Sequence, residues 1–165
     1  MMKKDSQNLV PQMVPRVVTW YQENQRSLPW RQDKNPYTIW ISEIMLQQTR
    51  IEAVKGYYAR FLQEIPDVRT LAEIPEERLL KLWEGLGYYN RAKNLQKAAQ
   101  IMVKNYQEEM PKTYAELIQL PGIGEYTAGA IASIAYDEPV PAVDGNVMRV
   151  ITRLLDWKID ILEPK

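Results

Sequence analysis

The sequence of 165 residues contains no cysteine and no histidine. The first absence excludes disulfides and thiolate metal sites built from these residues. The second removes the side chain most often used as acid, base or metal ligand near neutral pH. Catalysis must therefore use carboxylates, tyrosine or lysine. Net charge is lacking too, because 21 lysines and arginines offset 21 aspartates and glutamates. No global field draws such a chain to a polyanion, so nucleic-acid binding has to rest on local geometry. No window reaches the apolar length that spans a bilayer, and the opening MMKKDSQNLVPQ lacks the apolar stretch of a secretory signal. A cytoplasmic protein with no membrane partner is expected. Strand-like alternation is nearly absent, whereas apolar residues recur at three- and four-residue spacing among 11 prolines and 7 glycines. That pattern predicts an all-α fold. The length suits one domain that buries roughly two-thirds of its unfolded surface.

The spacing predicts a string of short helices with few spare residues between them. Residues 1–12 read as a flexible tail and 13–165 as the helical domain. Pro15 falls in the first turn of a helix running to about Gln25, with Val17, Val18, Trp20 and Tyr21 on its apolar side. After a loop, LPWR, the pair Asn35–Pro36 caps and opens a helix through Ile39, Trp40, Ile44 and Met45 to about Gln48. Further helices are expected over 51–63, 68–73, 76–84, 90–105 and 145–155, and 113–133 reads as helix, hairpin, helix. The closing IDILEPK carries no clear cap, so a continuation beyond it is expected.

The hairpin LPGIGEYTAGAI (120–131) carries the sharpest signal. Gly122 and Gly124 lack Cβ and can take positive φ, and Pro121 stiffens the entry. The N–H groups around Gly122, Ile123 and Gly124 and of the next helix's first turn then point at one spot, where the helix dipole favours an anion. This is a phosphate clamp made of backbone. A helix C-cap glycine followed by an ordinary tight turn is the other reading of the same residues. An echo occurs in EGLGYYNRAKNL (84–95), either as duplicated turn chemistry or as convergence on a common cap. Arg91, Lys93 and Lys97 follow this first copy and could face a polyanion.

Two carboxylates stand out. Glu43 is the one charge among Ile39, Trp40, Ile41, Ile44, Met45 and Leu46. If buried, its pKa rises and it can donate a proton near neutrality. If its apolar neighbours face elsewhere, it is an ordinary exposed glutamate. Asp144 precedes Gly145 at a helix start, where aspartate commonly only caps. Backbone N–H bonds there hold it ionised. One raised and one depressed carboxylate is the division of labour that breaks a glycosidic bond. Trp30 and Arg31 offer a stacking plane and a cation, or else a packed core residue and an exposed charge. Gln47, Gln48 and Thr49 end a helix with groups able to read base edges.

In the order LPWR, SEIMLQQT, EGLGYYNRAKNL, LPGIGEYTAGAI, VDGNVMRV, the chain closely resembles the adenine DNA glycosylase (MutY) family of the helix-hairpin-helix, endonuclease III superfamily. The likeness runs from about Val14 to Leu155. It implies a helix-hairpin-helix glycosylase fold, here the contiguous helical lobe plus the beginning of the second. It further implies that Glu43 protonates the adenine leaving group, Asp144 stabilises the sugar cation, and Tyr126 and Asn146 support that site. Trp30 and Arg31 would line the adenine pocket, and Gln48 and Tyr88 would wedge into the duplex around the extruded nucleotide. Gly122, Ile123 and Gly124 would grip the DNA backbone, with a small cation on hairpin carbonyls. The implied partner is double-stranded DNA with adenine mispaired with guanine or 8-oxoguanine, bound by a monomer that hydrolyses the N-glycosidic bond in base excision repair. Relatives that also cut the strand resemble this hairpin but place a Schiff-base lysine at position 126. A phenol forms no imine, so a monofunctional enzyme is implied, with Lys93 as the amine available for adventitious lyase chemistry.

Family members also carry four cysteines that bind a 4Fe-4S cluster and a domain that recognises the oxidised guanine. The cysteines are absent from these residues, which therefore bind no such cofactor, and slow or absent turnover is expected of the chain alone. Two alternatives stay open. One is an endonuclease III-like damaged-pyrimidine glycosylase, against which Tyr126 argues. The other is a non-catalytic helix-hairpin-helix DNA-binding module.

Overall fold

The computed structural model describes residues 6–158, and all regular elements among them are helical. They are α1 (Ser6–Asn24), α2 (Pro36–Leu46), α3 (Ile51–Glu64), α4 (Val68–Glu73), α5 (Glu76–Trp83), α6 (Asn90–Asn105), α7 (Tyr114–Leu117), α8 (Glu125–Tyr136) and α9 (Gly145–Leu154), with a 3₁₀ turn over Pro29–Arg31. The backbone falls into two compact units: Pro29–Val143, and the two chain ends, up to Leu28 and from Asp144 onward.

In the central unit, α2 follows from its sequence. The Asn35 side chain accepts from the Tyr37 and Thr38 N–H groups, and Pro36 supplies a helical φ at the first position. The helix is apolar nearly all round, and Tyr37, Ile39, Trp40, Ile41, Ile44 and Met45 are all buried. Such a helix needs neighbours on several sides, and α3 and α8 provide them. The Tyr37 hydroxyl, carried into the core, donates to the Ile65 carbonyl at 2.9 Å. Edge-to-face contacts of Trp30 on Tyr58 (5.4 Å) and Phe61 on Trp83 (6.0 Å) extend this core. On the other side α4 lies on α6, where the buried Gln96 amide donates to the Ile74 carbonyl that ends α4.

The chain-end unit differs from expectation at its start. Helix α1 begins at Ser6 instead of Pro15, so both Pro11 and Pro15 lie inside it and residues 6–12 are helix rather than tail. The remainder of the expected tail lies outside the described residues. A proline keeps a helical φ but loses the bond from its missing N–H and crowds the carbonyl four residues back, and four-residue spacing confines both disturbances to one face. The expected apolar side is open, with Val17, Val18, Trp20 and Tyr21 exposed by 43 to 60%. Helix α9 likewise buries none of its residues.

Candidate active site

The central unit brings three of the side chains singled out in the sequence together. Glu43, midway along α2, is partly buried. Burial pushes its carboxyl pKa above the ordinary value, while a hydrogen bond from Tyr126 and the nearby charge of Arg31 restrain the rise. The ordinary exposed glutamate is thereby excluded. Tyr126 reaches Glu43 from the first turn of α8, which packs on α2. Gln47 adds a longer contact between these helices, its amide 3.5 Å from Thr127 Oγ1. Arg31 is exposed, whereas Trp30 is only 6% exposed and packed on Tyr58. Of the two readings for Trp30, the packed core residue is the one present.

The hairpin before α8 takes the expected shape with one correction. Thr113 and Glu116 form a capping box on α7, and the Ile123 N–H closes the turn on the Leu120 carbonyl at 3.1 Å. Gly122 has φ +80°, and a Cβ there would come within 2.8 Å of Asn94 Cβ. Gly124 does not take positive φ. It is extended (φ −91°, ψ 179°) and N-caps α8 without any side-chain bond. A capping side chain would occupy the N–H groups that a glycine leaves open to a ligand. Ile123 is buried between these two exposed glycines, so its side chain anchors the turn.

The echo at 84–95 reproduces only the first half of that turn. Gly85 also has positive φ, and the Leu86 N–H bonds to the Trp83 carbonyl at 3.1 Å, as Ile123 does to Leu120. Then Gly87 (φ +70°) and Tyr88 (φ +48°) both turn left-handed, unlike Gly124, and α6 starts only at Asn90. Of the three cations after this turn, Arg91 faces inward onto backbone carbonyls, Lys93 pairs with Glu76 at 2.8 Å, and Lys97 is exposed. Gln48 and Tyr88, both exposed, line an open groove of about 750 Å³ together with Arg91.

In the chain-end unit, Asp144 caps α9 as expected. Its Oδ1 accepts from the Val147 N–H at 2.8 Å and its Oδ2 from the Asn146 amide at 2.9 Å, and these bonds hold its pKa below the ordinary value. Asn146 in turn accepts from Arg149 at 3.2 Å. Among the described residues no cluster of acidic side chains could hold a metal ion. With no cysteine anywhere in the sequence, these residues do not fit a 4Fe-4S cluster.

A family model described as HhH-GPD superfamily base excision DNA repair protein matches residues 41–162. The chain belongs to this superfamily. An HhH-GPD relative named adenine DNA glycosylase, from Buchnera aphidicola subsp. Baizongia pistaciae, is 46% identical over 145 residues, 87% of this chain and 41% of that protein. Another of that name, from Homo sapiens, is 44% identical over 147 residues, 84% of this chain and 27% of that protein. The chain thus spans less than half the length of these curated relatives. Among solved structures, a thermostable thymine-DNA glycosylase matches with a TM-score of 0.80 at 30% identity, over 85% of this chain and 65% of that one. A trapped endonuclease III–DNA covalent intermediate matches with a TM-score of 0.81 at 26% identity, over 99% of this chain and 75% of that one. The all-helical HhH-GPD architecture expected from the sequence is therefore the one observed. Among the described residues no helix is long and apolar enough to cross a membrane.

Sequence reasoning missed Arg91 as an internal tether and Asn94 as the residue under Gly122. The signal for Arg91 lay in α6 itself. It begins the stripe Arg91, Leu95, Ala98, Met102, whose other members are fully buried.

Proposed function

We propose that this chain is the catalytic part of an adenine DNA glycosylase, acting on duplex DNA in which adenine lies opposite guanine or 8-oxoguanine. The observation that carries the reading is Glu43, a partly buried carboxyl with a raised pKa, bonded to Tyr126 in the helix that the glycine hairpin opens. The naming of relatives at 44 to 46% identity as adenine DNA glycosylases supports the choice of base.

In this scheme a mispaired adenine, less costly to unstack than a paired one, leaves the helix. Gln48 and Tyr88 enter the duplex, and the N–H groups around Gly122, Ile123 and Gly124 hold a phosphate, with a small cation on hairpin carbonyls in support. Arg31 bounds the adenine pocket. Glu43 gives its proton to an adenine ring nitrogen as the bond to C1′ breaks, and the bonding pair leaves with the base. The sugar is left as an oxocarbenium ion, whose charge the ionised Asp144 stabilises with Asn146 in support. Water then adds to C1′, giving up a proton to the now ionised Glu43, and an abasic site results. Tyr126 offers no amine for an imine, so the strand stays intact.

The test is single-turnover release of adenine from a duplex carrying adenine opposite 8-oxoguanine, by the chain and by its Glu43→Gln variant. Slow release by the unmodified chain and none by the variant is expected. Duplex binding without release by either protein would instead mark a non-catalytic DNA-binding module.

A further inference from the structure

Two non-glycine residues that line the groove, Gln48 (φ +58°) and Tyr88 (φ +48°), hold left-handed backbone conformations. Such conformations persist only where surrounding structure imposes them. One guanidinium bonds backbone carbonyls at both. Arg91 Nη1 donates to the Gln47 carbonyl at 2.7 Å, and also to those of Ile44 (2.7 Å) and Met45 (3.1 Å). Its Nη2 donates to the carbonyls of Leu86 at 2.9 Å and Gly87 at 3.2 Å. The carbonyls of Gln47 and Gly87 belong to the very peptide planes from which the φ angles of Gln48 and Tyr88 are measured. The same cation also sits 5.7 Å from the centre of the Tyr88 ring.

We propose that Arg91 is a positioning residue that locks Gln48 and Tyr88, from two separate turns, into one preassembled pair. The consequence drawn for DNA rests on the glycosylase reading: a pair held in place before contact needs no ordering when it enters stacked bases. A planar guanidinium offers five N–H donors in fixed directions to the carbonyls of both turns, where an ammonium offers three on a point charge.

The decisive measurement needs no DNA. The amides of Thr49 and Leu86 are bonded within the two turns, to the Leu46 and Trp83 carbonyls, and their hydrogen exchange reports each turn separately. In Arg91→Met, exchange is expected to accelerate about tenfold or more at both amides together, while that of Ile41 in the core of α2 holds. Arg91→Lys is expected to be intermediate, and it serves as the variant if the methionine protein does not fold. Unchanged exchange, or acceleration at one turn only, would overturn the lock. A second arm places 2-aminopurine at the mispaired position. The unmodified chain and Glu43→Gln should both brighten on binding, and Arg91→Met at equal occupancy should not. Brightening by Arg91→Met equal to that of the unmodified chain would also overturn the proposal. Coupled loosening of both turns with no brightening by the unmodified chain would uphold the lock and sink the base-extrusion reading.

Discussion

The Tyr126 hydroxyl donates to the Glu43 carboxyl, tying the first turn of α8 to the middle of α2. Burial raises the pKa of Glu43, and this bond, with the charge of Arg31, opposes the rise. In Tyr126→Phe the opposition weakens, so the Glu43 proton is held more tightly. The alkaline limb of adenine release, followed by single-turnover rates across pH, is expected to move to higher pH. An unmoved limb would separate Tyr126 from the acid.

In the proposed mechanism the two carboxylates set opposite edges of the pH profile. Glu43 would act protonated, so the rate is expected to fall as pH rises through its elevated pKa, whereas Asp144 would act ionised, so the rate is also expected to fall as pH drops through its depressed one. Stability follows the same signs. The contribution of Glu43 is complete below its ordinary pKa and fades as pH rises through the folded value. That of Asp144 is present above its ordinary pKa and is lost in acid. Asp144→Asn retains an oxygen for the Val147 N–H but loses the charge. Its rate is expected to fall about 100- to 1,000-fold, with the helical circular-dichroism signal unchanged.

Glu43→Gln removes the proton donor while keeping nearly the same volume. A loss of about 100- to 10,000-fold in single-turnover rate is expected, the range usual for general-acid catalysis, with duplex affinity preserved. Equal rates in the two proteins would show that another group protonates the base.

Two glycine substitutions in the hairpin should part company. Gly122→Ala places a Cβ at φ +80° and 2.8 Å from Asn94 Cβ, so it is expected to lower the melting temperature. Gly124→Ala meets open space at φ −91°, so stability should hold. Its methyl group would keep a phosphate from the backbone, and duplex affinity measured by fluorescence anisotropy should weaken. Full affinity in Gly124→Ala would remove the hairpin from the DNA contact.

Away from the site, Asp67 caps α4 by accepting from the Thr70 N–H at 2.7 Å, a bond that lowers its pKa. Asp67→Ala is expected to cost about 1 kcal/mol, a fall of roughly 2–4 °C in melting temperature for a chain of this size. The difference from the unmodified protein should shrink in acid, where Asp67 itself loses its charge.

Local chemistry was readable wherever the answer lay within a few residues. The Asn35–Pro36 start, the Asp144 cap, the extents 68–73 and 90–105, and the small-residue helix behind the hairpin all depend on side chains and backbone groups at most a turn apart. The start of α1 escaped because a proline marks a first helical turn well but permits an interior one as well. Gly124 escaped because glycine is equally at home in extended and left-handed backbone.

By itself, the sequence determined a helical chain whose chemistry must come from carboxylates, tyrosine or lysine, and it located the turn that opens α8. Only the tertiary structure decided that Glu43 is desolvated rather than exposed, that Trp30 packs on Tyr58, and that Arg91 turns inward to hold two distant turns. Helix and turn propensities act within one stretch of chain. Desolvation and the capture of backbone carbonyls depend on which remote segments are packed alongside: a stripe such as Arg91, Leu95, Ala98 and Met102 records that a side chain faces inward, not which segments it meets there.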